Sequence, residues 1–135
     1  MTPGNRTAPR WPHLLARIST TSMAVLAVAQ ATFAGSFLGG QYDSLMLHSL
    51  VARAMTVLAA VQLIALVFVR RAGGPRSVIP VGTVLLLLLV TEFALGELRM
   101  PALHVPLGVL LVAGILQLAA SIWRTPLPQP RMALS

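Results

Sequence analysis

Apolar and small residues dominate four stretches of the chain, at about 18–38, 45–69, 78–98 and 102–123, and short polar runs divide them. Each stretch has roughly the 20 residues that a helix needs to cross a bilayer. The connections at 39–44, 70–76 and 99–101 are too short to let neighbouring spans run parallel. The pattern predicts an all-α fold, an integral membrane up-down four-helix bundle. The polar ends, 1–17 and 124–135, are rich in proline and arginine, and they read as disordered tails.

The first span has a rival reading as a signal peptide, with Ala29-Gln30-Ala31 as the cleavage site. Apolar character continues past that point through Phe33 and Phe37, which favours a retained helix. Within it Ala27, Ala31, Gly35 and Gly39 recur every four residues, a line of small side chains that lets another helix approach closely.

Composition supports the membrane reading. The 135 residues are 56% hydrophobic and 10% charged, with mean hydropathy +0.82, far from the quarter charged of a soluble domain. No cysteine is present, so disulfides, thiolate metal sites and cysteine nucleophiles are excluded. The net charge of +7 comes from ten arginines and no lysine, against Asp43, Glu92 and Glu97. A nucleic-acid surface would interleave basic residues with stacking aromatics, but aromatics are 5% and the arginines sit between apolar runs.

Those arginines set topology instead. Arg6, Arg10 and Arg17, then Arg70, Arg71 and Arg76, then Arg124 and Arg131 all fall on one side. The positive-inside rule places both termini in the cytoplasm of a bacterial cell, with a multi-pass chain in its inner membrane. Trp11 and Trp123 then lie at the cytoplasmic interface and Tyr42 at the outer one.

Chemistry is sparse. His48 and His104 stand within about one turn of the outer boundary, on the second and fourth spans. Four residues deeper on each are Ala52 and Gly108, small residues that would leave a flat slot beneath both rings. A haem b iron held by two histidines needs such a slot, and Arg99 or Arg53 could bond its propionates. Two alternatives stay open: histidines that meet headgroups and ligate nothing, and a Zn or Cu site. Zinc wants four ligands and finds two. His13 belongs to the basic tail and reads as solvated.

Arg53 lies about 12 Å inside the second span and Glu92 about 10 Å inside the third. An Arg53–Glu92 ion pair is expected, structural in role or part of a proton relay. Gln30 falls at nearly the same level, while Gln62 and Gln117 are expected to hydrogen-bond across helices. Phosphate loops, H-E-x-x-H and a serine with a convergent base are all missing, so the sequence gives no sign of an enzyme.

The arrangement resembles one four-helix half of the heme A synthase family. The resemblance covers about 18–123 and rests on His48 in Leu-His-Ser-Leu-Val-Ala-Arg and His104 in Leu-His-Val-Pro-Leu-Gly. It implies that these two are axial haem ligands. That family's catalytic glutamate precedes its second-helix histidine, where this chain has Leu45, Met46 and Leu47, with Asp43 the nearest acid. The resemblance therefore implies haem handling or electron transfer, in a homo-oligomer or larger membrane complex. Two other functions are carried forward: an accessory subunit, and a proton-coupled transporter using Arg53 and Glu92.

Overall fold

Four helices fill residues 10–127, the part of the chain that the computed structural model describes. They are α1 (Trp11–Leu38), α2 (Ser44–Arg71), α3 (Val78–Glu97) and α4 (Pro101–Arg124). No strand occurs among the described residues. The helices pack in a ring, α1 on α2, α2 on α3, α3 on α4 and α4 back on α1. The backbones of α1 and α3, and of α2 and α4, face each other only across the centre. This is the up-down bundle expected from the short connections.

A line of residues spaced alternately three and four apart turns each helix inward. In α2 it runs Met55, Ala59, Gln62, Leu66, Val69 and in α3 Val78, Gly82, Leu85, Leu89, Glu92, all buried. The α1 line passes through Ala16, Thr20, Met23 and Ala27, and the α4 line through Leu111, Ile115, Leu118 and Ile122. A mean step of 3.5 residues keeps one seam facing a partner along a whole helix. The small line through Ala27, Ala31, Gly35 and Gly39 advances by four each time and drifts off this seam. Ala27 is fully buried, whereas Ala31 and Gly35 face outward.

Glycines on α3 and α4 take leucines from neighbouring helices. A Cβ on Gly82 would stand 2.6 Å from Leu66 Cδ1, and one on Gly114 2.7 Å from Leu85 Cδ2. Membrane helices gain little from hiding apolar surface from one another, so such close packing carries their association.

Three turns close with the same hydrogen-bond pattern. Gln41 N–H donates to Ser36 O, Gly74 to Val69 O and Met100 to Leu95 O, each at 2.9 or 3.0 Å. The residue at the bend takes positive φ: Gly40 at 94°, Gly73 at 91° and Arg99 at 55°. This is the Schellman ending, which favours glycine because a side chain crowds the left-handed backbone.

The expected N-terminal tail is corrected in part, because residues 11–17 are helical. Pro12 sits in the first turn, where its missing N–H costs nothing, and Trp11 packs on Phe68 of α2 with ring centroids 5.1 Å apart. His13, expected to be solvated, is buried. Residues 1–9 and 128–135 of the tails lie outside the described residues. Nearby, Arg17 ties α1 to α4: it donates to Thr125 O at 2.9 Å and lies 4.8 Å over the Trp123 ring. Trp123 Nε1 donates back to Thr21 Oγ1 at 2.9 Å.

All four helices are long and apolar enough to cross a membrane. Their outer surface is built from side chains such as Ile18, Val25, Val57, Leu87 and Leu110, each more than 60% exposed. Apolar surface on that scale needs lipid rather than water. The protein is an integral, multi-pass membrane protein.

Candidate functional site: a polar cluster built from all four helices

In the half of the bundle nearest the 39–44 and 98–100 turns, each helix contributes one polar residue to the interior. These are Gln30 of α1, His48 of α2, Glu92 of α3 and His104 of α4. Glu92 is buried and the other three are half-buried. They continue the inward seams: His48 and Ala52 precede Met55 on its line, and His104 and Gly108 precede Leu111. Sequence position alone therefore delivers them to the centre.

Hydrogen bonds anchor both imidazoles by the same ring nitrogen. His48 Nδ1 lies 3.3 Å from the main-chain oxygen of Gln30. His104 Nδ1 lies 3.1 Å from the main-chain oxygen of Glu92 and 3.0 Å from its carboxylate Oε1. A carbonyl oxygen can only accept, so in each ring Nδ1 carries the proton and donates it. In such a ring, when neutral, the lone pair is on Nε2, and neither Nε2 has a hydrogen-bond partner among the described residues. The two ring centroids are 6.1 Å apart with planes at 73°.

Two glycines of the site make room for side chains. A Cβ on Gly96 would come 3.3 Å from His104 Cε1, and one on Gly108 2.8 Å from Glu92 Oε1. This corrects the expected slot: the space beside Gly108 holds the Glu92 carboxylate. Ala52 is half-buried one turn below His48. Two oxygens of the cluster, Gln30 Oε1 and Glu92 Oε2, are buried without a hydrogen-bond partner.

The expected Arg53–Glu92 pair is not formed. Arg53 is exposed on the lipid-facing side of α2, two residues before the buried Met55 and so about 200° round the helix from it. Glu92 faces inward and meets His104 instead. Matched depth gave the two residues one level but opposite directions. Arg99 is exposed at the α3–α4 turn, in the bend itself. Gln62 is buried with Oε1 unpartnered, and Gln117 is exposed, so neither makes the expected cross-helix bond. Neither the narrow void of about 10 Å³ beside Gln62 nor the open depression at Gly40 to Ser44 is lined by a histidine.

Among the described residues no group of three or more His, Cys, Asp or Glu could hold a metal ion. What the site offers is two imidazole lone pairs, one from each of two diagonal helices. The class defined is thus a multi-pass four-helix membrane protein with a paired-histidine cluster in one half of its bundle. No family model, curated protein or solved structure matches the chain.

Proposed function

We propose that the cluster binds haem b through His48 and His104, and that the protein serves electron transfer or haem handling near the outer face of the membrane. The observation that carries this is the pair of imidazoles with Nδ1 anchored and Nε2 free. Their ring centroids lie 6.1 Å apart, on two diagonal helices.

The donor set also bears on the kind of centre. A bare zinc ion wants four protein ligands, which the cluster does not hold. His48 and His104 would supply the two nitrogens that a porphyrin iron needs from the protein. Bound there, it would supply one-electron redox chemistry. The chain's own part is orientation: the Gln30 and Glu92 carbonyls hold each ring by its Nδ1 proton, which points the opposite nitrogen for ligation. The resemblance to one half of the heme A synthase family agrees with this assignment. A transporter using Arg53 and Glu92 loses its premise, since that pair is not formed.

The test is direct. Protein expressed with supplemented haem and purified in detergent is expected to give a reduced-minus-oxidised b-type spectrum and one haem per chain by pyridine hemochrome. His48→Ala and His104→Ala are each expected to abolish it. Wild-type protein without haem, or undiminished binding in both variants, would overturn the assignment.

A further inference from the structure

Two charges on the outside of the bundle have no ion-pair partner among the described residues, where the acid–base contact is that of Glu92 with His104. Arg53 is exposed on the lipid-facing side of α2, and Glu97 is exposed at the end of α3. Glu97 lies five residues beyond the inward-facing Glu92 and so about 140° round the helix from it. Both charges therefore point away from the core. A guanidinium facing hydrocarbon is costly unless it is paired or rises to the boundary.

Depth selects the partner. Leu66 of α2 and Gly82 of α3 meet, since a Cβ on Gly82 would stand 2.6 Å from Leu66 Cδ1. From that shared level Arg53 is about 20 Å toward the outer side and Glu97 about 22 Å. The two are level to within about 3 Å, on helices that pack together. Copies of one chain insert with the same orientation, so a residue keeps its depth in every copy. A pair between copies must then join residues that are already level within one. Asp43 fails this condition, standing about 15 Å above Arg53, and Glu92 fails by facing inward. Glu97 alone meets it among the three acids of the chain.

We propose that the outer face of α2 and α3 binds a second copy of this chain, with Arg53 of each copy paired to Glu97 of the other. A two-fold axis along the membrane normal sets α2 of one copy against α3 of the next and forms the pair twice. Lipid around the contact strengthens each pair relative to one in water. The histidine cluster stays inside each bundle, so the interface holds whatever the imidazoles bind.

The chain has no cysteine, so one added after Ser135 takes a single fluorophore. Energy transfer between donor- and acceptor-labelled copies in phosphatidylcholine vesicles then reports association. Wild-type protein is expected to associate. Arg53→Glu and Glu97→Arg, each alone, set like charges opposite one another twice and should weaken self-association at least about tenfold. The two variants mixed should associate with each other about as well as wild type, because one copy then offers two acids and the other two arginines. A charge effect within a single bundle cannot produce that pattern. Monomeric wild type overturns the proposal, as do variants that self-associate normally or a mixture that stays apart. Should a reversed charge prevent insertion, Arg53→Gln and Glu97→Gln each remove one charge and are expected to weaken association too; undiminished transfer in both overturns the proposal. So does a monomeric wild type that retains anionic phospholipid through purification and loses it in Arg53→Gln, which would give Arg53 a headgroup phosphate instead.

Discussion

Arg99 shows how one residue's backbone can outweigh its charge. It ends α3 at φ 55°, a conformation that costs a side-chain-bearing residue roughly 1–2 kcal/mol relative to glycine. Arg99→Gly is therefore expected to stabilise the protein by about 1 kcal/mol, measured as a raised unfolding midpoint in detergent. A lower midpoint would show that the guanidinium holds something the exposed turn does not reveal. The same scale explains what could be read from the sequence about the site. His48 and His104 could be found because ionisable groups stand out in apolar runs. Their hydrogen bonds could not, because the acceptors are main-chain oxygens that every residue carries. Glu92 was given the wrong partner because depth along a helix follows from counting, whereas direction needs the seam. Glu92 shares a line with Leu85 and Leu89, and Arg53 lies off the line of Met55 and Ala59. That signal was present in the spacing.

At the scale of the element, spans and connections follow from hydropathy alone, and the observed helices match the expected ones to within two residues at the ends. The exception is α1, which starts seven residues early because Pro12 and the Trp11–Phe68 contact extend it past the apolar run. Helix-to-helix packing was less legible. A line of small residues on α1 announced a close approach that occurs only at Ala27, while the tight contacts fall at Gly82 and Gly114 on the other side of the bundle. These two glycines are ordinary in sequence and are distinguished only by standing opposite a leucine of a neighbouring helix. Leu66 is fully buried and has nowhere to retreat from a methyl group at 2.6 Å from its Cδ1. Gly82→Ala is expected to cost about 1–3 kcal/mol, the usual range for overpacking a filled core. Glycine 35 supplies the control: a Cβ there meets nothing within 4 Å, so Gly35→Ala should leave the unfolding midpoint unchanged or slightly higher. Equal losses in both variants would mean that helix propensity, not packing, sets the result.

For the whole molecule, charge is divided between the two ends of the bundle. Arg10, Arg17, Arg70, Arg71, Arg76 and Arg124 gather at the end where α1 begins and α4 finishes, while Asp43 and Glu97 belong to the other. Four spans return the chain to the side it left, so the start of α1 and the end of α4 share one side of the membrane, and the arginine excess in the short flanks predicts that this side is cytoplasmic. On that prediction the histidine cluster faces the opposite, outer side. A ligand of the cluster would then have to reach it from there, because the seam beneath is closed by Leu66, Leu85, Leu89 and Ile115. Alkaline phosphatase, active only outside the cytoplasm, is expected to be inactive when fused after Ser135 and active when inserted in the 39–44 turn. Green fluorescent protein after Ser135 should fluoresce. Exchanging Arg70, Arg71 and Arg76 for glutamine while placing three arginines in the 39–44 turn should weaken or reverse that pattern, since the bias then favours the other side. Phosphatase activity at the C-terminus of the unaltered chain would invert the bundle. It would also turn the paired histidines toward the cytoplasm, and with them the side from which any haem is loaded.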